Sequence, residues 1–237
     1  MSWLVPPRRP GHELLDDPTL APDEMARNLA ELARIDRFWR GSSALARWLV
    51  ERSSVPGRIR ILDLGAGSAV PSGRLSRELA KAGLTSSVVA LDLQWRHLAA
   101  GRGARGRQVR PVAADALHLP LPDGSVDFVV STLLLHHLSP VNLAALFSEI
   151  RRVARRGFAL LDLRRHRVPL AFLSAAGRVL FDSKITRHDA SVSVRQAYTP
   201  AELRTILAAV APRARVVRLF PYRLLVASAT ESPRSAG

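Results

Sequence analysis

From Pro22 to Arg52 apolar residues recur at three- and four-residue steps: Met25, Leu29, Leu32, Ile35 and Trp39, then Leu45, Trp48 and Leu49. That spacing predicts amphipathic helix, and Gly41-Ser42-Ser43 predicts a division into two helices. After Pro56-Gly57 the rhythm changes. Short apolar runs predict strands over 59–64, 87–92, 109–113, 126–131, 158–163, 215–220 and 222–228. Helical stretches are predicted between them over 70–82, 94–100, 141–153, 168–180 and 200–210. The last opens with Thr199-Pro200-Ala201-Glu202, a capping box with proline in the first turn.

Strands alternating with helices imply a mostly parallel sheet covered on both faces. The final two strands meet at Phe220-Pro221-Tyr222, too short a join for a parallel crossover. The expected fold is therefore α/β and Rossmann-like: a mostly parallel seven-stranded sheet with a reversed last strand and helices on both faces. The chain divides into a flexible N-terminal segment (1–21), a helical cap (22–56), a main domain (57–228) and a disordered tail (229–237). Residues 164–198 have no counterpart in the minimal fold and form a substrate or lid insertion. Phe172, Phe181, Trp39 and Tyr198 are candidate apolar walls there, with core packing an equal alternative for each.

Composition narrows the chemistry. Of the 237 residues 47% are apolar, enough for a sizeable core. There is no cysteine, which excludes disulfides, thiolate metal sites and a cysteine nucleophile; no metal is expected. The first ten residues hold no apolar core of the kind a secretion signal needs, and no uncharged run reaches a membrane span, so a cytoplasmic protein is expected. The longest apolar run, 168–181, is interrupted by Arg178. The formal charge is +15, yet 33 of the 35 basic residues are arginine. That bias reads as a GC-rich coding sequence rather than as a nucleic-acid surface.

In an open α/β sheet, ligands bind beyond the C-terminal strand ends. That edge is expected to gather Asp63, Gly65 and Gly67, then Asp92, Asp115, Ser131 with His136-His137, and Arg164–Arg167. Gly65 and Gly67 let the backbone turn sharply and approach a ligand. A dinucleotide fingerprint would place a third glycine at position 70, which is Val70. An acid at Asp63 would repel a pyrophosphate and suits a ligand bearing an ammonium and a sulfonium.

Asp63-Leu64-Gly65-Ala66-Gly67-Ser68-Ala69 resembles the D/E-x-G-x-G-x-G motif of class I S-adenosylmethionine-dependent methyltransferases, with Ala69 at the last glycine. Ala90-Leu91-Asp92 is similar to the family's second-strand end, whose acid takes the ribose hydroxyls. Ala114-Asp115-Ala116 is similar to the segment whose acid receives the adenine amino group. Residues 117–130 and the "LLHHL" run at 134–138 extend the resemblance. One departure is "ARRGF" at 154–158, where the family often has a proline-glycine turn. The resemblance implies S-adenosyl-L-methionine as cofactor, with contacts at Asp63, Gly65, Ala66, Gly67, Asp92, Leu93, Asp115, Ala116 and Ser131.

The implied activity is methyl transfer to a small, partly hydrophobic acceptor, most simply at oxygen. His136 and His137 are the catalytic candidates; adjacent on a helix, they point about 100° apart, so at most one faces the site. The rival readings are an RNA or DNA methyltransferase and a non-catalytic binding subunit. The first lacks its usual traces: no cysteine for cytosine C5 chemistry, and Ser131-Thr132-Leu133-Leu134 where an Asn-Pro-Pro-aromatic run would stand. The run 102–110 is expected to be a solvated loop on the opposite edge. Arg164–Arg167 could meet an anionic acceptor or a lipid surface, so peripheral membrane contact is left open, as is the oligomeric state.

Overall fold

The structure, a computed structural model, describes residues 3–229. Seven strands form one sheet in the order β3-β2-β1-β4-β5-β7-β6. They are β1 (Gly57–Leu64), β2 (Leu84–Asp92), β3 (Val109–Ala113), β4 (Val126–Thr132), β5 (Ala154–Leu163), β6 (Arg215–Leu219) and β7 (Arg223–Ala229). Strand β7 runs antiparallel to both β5 and β6, so it alone is reversed, as the short Pro221 join requires.

Alternate residues of the central strand feed two cores. Ile59 and Ile61 pack with Phe128 and Trp48 beneath α2 (Gly41–Val50) and α3 (Val70–Lys81). Leu62 and Leu64 pack with Phe147 and Phe158 beneath α5 (Pro140–Val153) and α8 (Pro200–Val210). Helix α5 starts where Ser139 accepts a bond from the Asn142 amide, and α8 where Thr199 and Glu202 complete the expected capping box. The remaining helices are α1 (Pro22–Trp39), α4 (Trp95–Ala100), α6 (Arg167–Leu180) and α7 (Lys184–Gln196).

Three departures from the sequence reading have physical causes. The α1–α2 break falls at Arg40, in the left-handed region at φ 56°, one residue before the expected glycine. Asp36 fixes it by accepting bonds from the Ser42 amide and hydroxyl at 3.0 and 2.6 Å. Helix α7 lies inside the 164–198 segment where no second helix was expected. Its buried face is largely polar, with Thr186, Asp189, Ser193 and Gln196 beside Ile185 and Val194, so it carries little apolar period.

The third departure is the N-terminus, expected to be flexible over 1–21. Leu4 and Pro6 accept from Arg167 and Arg165, and from Arg8 to Leu15 the segment lies along α7 as a strap. Leu14 and Leu15 amides donate to Asp189 at 2.8 and 3.0 Å, and the Gly11 amide donates to Gln196. Arg8 donates to the carbonyls of Gln196, His136 and Leu138 and stacks on the Tyr198 ring. The tail expected after Ala229 falls outside the described residues.

Candidate functional site

Strand β1 ends in the glycine turn. Gly65 and Gly67 have φ of 64° and 53°, and a Cβ on Gly65 would come within 3.1 Å of Leu134. Ala69, at the position of the motif's third glycine, also sits at positive φ, 57°, and leads into α3. The Ala66 amide donates to the Leu91 carbonyl at 3.0 Å, which fastens the turn to β2.

Two expected contact residues support this turn from below. Ser131 is buried and its hydroxyl donates to the Leu64 carbonyl at 2.6 Å. Asp63 is also buried and accepts from the Ser72 hydroxyl of α3 at 2.6 Å. Burial raises the Asp63 pKa to about 7; the Ser72 bond opposes the shift, and the fields of Asp36 and Asp92 add to it. This corrects the picture of an open carboxylate facing a ligand: the side chain is turned toward α3.

The next two strand ends present a different surface. The oxygens of Asp92 accept from the Gly67 and Gln94 amides at 2.8 and 2.9 Å, which ties β2 to the glycine turn. Leu93, immediately after it, is 73% exposed. Beyond β3, Asp115 has a side chain 45% exposed and accepts from the Leu117 amide at 2.8 Å. That bond, then His118, holds its carboxyl below the usual range. Ala116 is half-buried beside it.

The fourth strand end carries the histidines, in a short 3-10 helix at Leu135–His137. His136 is buried, with Nδ1 2.7 Å from Asp162 Oδ1 and Nε2 3.4 Å from Glu13 Oε1. Burial alone would lower its pKa; Asp162 and Glu13 outweigh burial and push it up to about 10. His137 stacks on it with centroids 4.3 Å apart. Both of its nitrogens face strap carboxylates, Nε2 at 3.7 Å from Glu13 and Nδ1 at 3.5 Å from Asp16. His136 is therefore enclosed on both nitrogens, while His137, its side chain 30% exposed, is the more accessible of the two catalytic candidates.

Glu13, Asp16, Asp162 and His97 were not singled out from the sequence. His97 lies 3.4 Å from Asp92 and bonds the Leu15 carbonyl at 3.3 Å, while Gln94 Nε2 donates to the Asp16 carbonyl. The strap thus runs past both the histidine pair and the Asp92 rim. The available signal was "ELLDD" at 13–17, three acids inside an otherwise Pro- and Arg-rich segment.

The arginine runs also differ from expectation. Arg165 is buried and donates to the Pro6 and Ala197 carbonyls and to Glu202, at 2.8, 2.5 and 2.5 Å, so it anchors the strap. Arg164 stacks on Tyr222. The loop after α4 is not at the far edge. Helix α4 has six residues, about 9 Å of rise, too few to cross the sheet. Gly101 therefore packs on Ser68, and Arg105 packs on Gly73 of α3.

Residues 61–157 match the methyltransferase domain family. Over those residues the chain is similar to a methyltransferase domain, in line with the class I S-adenosylmethionine-dependent resemblance of its glycine turn. It is 37% identical over 127 residues to a demethylmenaquinone methyltransferase of Beutenbergia cavernae, covering 52% of this chain and 45% of that one. It is 38% identical over 96 residues to a malonyl-[acyl-carrier protein] O-methyltransferase of Geobacter sulfurreducens, covering 40% and 34%. The chain thus spans less than half the length of these curated relatives. The methyltransferase fold extends further than the sequence match. A structure of a SAM-dependent methyltransferase from Aquifex aeolicus superposes with a TM-score of 0.60 at 20% identity, over 89% of this chain and 99% of that one. Magnesium protoporphyrin IX methyltransferase from Synechocystis PCC 6803, solved with bound SAH, gives 0.54 at 21%, over 82% and 83%. No helix among the described residues is long and apolar enough to cross a membrane.

Proposed function

We propose that this chain transfers a methyl group from S-adenosylmethionine to an oxygen of a small, partly hydrophobic acceptor. The observation that carries the reading is the junction of Asp92 with the Gly67 amide, which sets a carboxylate, a glycine turn and the exposed Leu93 side by side. These residues fit the cofactor. Each Asp92 oxygen accepts one backbone bond, and a carboxylate oxygen has lone pairs for more, enough to take ribose hydroxyls. Leu93 and Ala116 would flank the adenine, Asp115 would receive its amino group, and Gly65, Ala66 and Gly67 would let backbone meet the ligand. Asp63 and Ser131 would act through the turn they support. When bound, the group supplies a methyl on a sulfonium, a leaving group that needs no proton.

What remains for the protein is alignment, exclusion of water and release of the acceptor's hydroxyl proton, which goes to solvent as the acceptor ionises; alignment in well-oriented systems supplies about 7–11 kcal/mol. The strap passes the Asp92 rim and Leu29 of α1 stands over Gly67, so both would cover a cofactor held there. His136, enclosed by Asp162 and Glu13, is not assigned as a base, and His137 keeps only the place of a candidate. The relative named for demethylmenaquinone supports a small, partly hydrophobic acceptor, and the one named as a malonyl-[acyl-carrier protein] O-methyltransferase supports transfer to oxygen.

Calorimetry with S-adenosylhomocysteine tests the cofactor, and Asp92→Asn should weaken binding roughly tenfold or more with the fold retained, as expected for a charge-assisted bond of ~1.5–3 kcal/mol. Unchanged affinity in that variant would remove Asp92 from the site. Mass spectrometry of cell extract incubated with protein and deuteromethyl cofactor tests the acceptor: label in a small molecule supports the reading, label in RNA or DNA replaces it, and binding without any transfer leaves the non-catalytic subunit.

A further inference from the structure

At the seam between the strap and the end of β4, three carboxylates enclose two stacked imidazoles. The spacing inside this group is informative. Ligands of a tetrahedral zinc-class ion at ~2.0–2.1 Å stand ~3.3–3.4 Å from one another. Glu13 Oε1 is 3.4 Å from His136 Nε2 and Glu13 Oε2 is 3.7 Å from His137 Nε2. One ligand atom from each of the three residues fits within 4.8 Å. Both Glu13–His separations are long for N–H···O hydrogen bonds, which cluster at ~2.7–3.2 Å.

The groups behind these ligands have the orientation that metal sites require. A ligating histidine gives its other ring N–H to a carboxylate or carbonyl, which fixes the tautomer. Asp162 does this for His136 at 2.7 Å, leaving Nε2 toward Glu13, and Asp16 stands 3.5 Å from His137 Nδ1. Glu13 is itself oriented, with Oε1 accepting from Ser193 and Gln196 at 2.6 and 2.8 Å. The three acids leave the group short of positive charge with neutral rings. His137, its side chain 30% exposed, gives a route in from solvent.

We propose that Glu13, His136 and His137 form a binding site for one divalent cation of the zinc class, which clasps the N-terminal strap to the sheet edge. Two imidazoles and one carboxylate suit zinc and its borderline neighbours, and three protein ligands leave a position open. The clasp joins residue 13 to residues 136–137, and the same strap continues past Asp92 through Asp16 and Leu15. Metal occupancy would therefore set how firmly the Asp92 rim is covered. The proposal rests on donor geometry and holds independently of the activity proposed above.

The test uses the full chain, stripped with a chelator and dialysed. Titration with zinc should show one equivalent bound, and cobalt should give the visible bands of a low-coordinate nitrogen and oxygen site. His137→Gln and Glu13→Gln should each weaken zinc binding more than tenfold, and Asp162→Asn roughly 10–100-fold. S-adenosylhomocysteine binding, measured alongside, reports on the cofactor site separately. No uptake at micromolar zinc by the wild-type chain would overturn the clasp and leave a seam held by protons. Equal uptake by the Glu13→Gln/His137→Gln double variant would place the metal on other histidines and overturn it equally.

Discussion

The sheet and the strap are built on different principles. The sheet buries Ile61, Leu62, Phe128 and Phe147 with almost no polar atom among them. The strap and α7 meet across Asp189, Ser193, Gln196 and Glu13, through hydrogen bonds. Apolar burial is non-directional and tolerant of detail. A polar seam holds only while each donor finds its acceptor, and an unmatched buried group costs about 1–3 kcal/mol. The sheet should therefore fail globally when cut, and the seam locally.

The largest effect should come from Phe147→Ala. Phe147 is fully buried and packs against Phe158 with ring centroids 5.4 Å apart. The loss should be about 3–5 kcal/mol, transfer and cavity together. Chemical denaturation should show it in every probe at once. A transition confined to the cap and strap would put Phe147 outside the cooperative core.

Asp63 breaks the apolar pattern of the sheet from within. Its raised pKa has a definite sign. Below about pH 4 the carboxyl is protonated in both folded and unfolded chains and contributes no pH dependence. Between about 4 and about 7 the unfolded chain ionises while the folded one holds its proton, mainly because burial disfavours the charge. Stability should fall across that window by roughly 1.4 kcal/mol per pH unit, at most ~4 kcal/mol in all. Asp63→Asn keeps an acceptor for Ser72 and should flatten this slope in urea melts. An identical slope in wild type and variant would show that Asp63 is ionised in the folded chain.

The seam predicts a different kind of failure. Arg8→Ala removes bonds to the Gln196, His136 and Leu138 carbonyls and the stack on Tyr198. It should lower local stability by about 2 kcal/mol, the scale of charged hydrogen bonds. Hydrogen exchange over residues 3–17 should speed up while β1 and β4 stay protected. Equal acceleration in the central strands would mean that the strap belongs to the same cooperative unit as the sheet.

This contrast also governs what the sequence could reveal. The central strands were legible because their residues face two apolar layers, so hydropathy alone encodes them. The one reversed strand followed from the short turn at Pro221. Asp92 and Asp115 could be placed because a strand end fixes where its next residue lies. The strap could not be read, because Glu13 meets Ser193 180 positions away and neither shows periodicity. Arg165 looked like a surface charge until Pro6, Ala197 and Glu202 were seen around it. Ser131 and Asp63 were placed at the correct edge, but their direction depends on which neighbour takes the hydrogen bond.

The smallest effect concerns Ala69, where the methyltransferase motif has glycine. At φ 57° and ψ 11° an L-residue is strained by roughly 1–2 kcal/mol. Glycine would relieve that strain. It would also make the unfolded chain more flexible, at ~0.5–1 kcal/mol, and remove a fully buried methyl, at ~0.8 kcal/mol. The terms nearly cancel, which is why alanine is tolerated here. Ala69→Gly should therefore change stability by less than about 1 kcal/mol and leave S-adenosylhomocysteine affinity unchanged. Gly65→Ala, at a similar φ but facing Leu134 at 3.1 Å, should cost visibly more in the same thermal melt. Equal effects at the two positions would mean that backbone strain, and not the space above the turn, decides where the motif needs glycine.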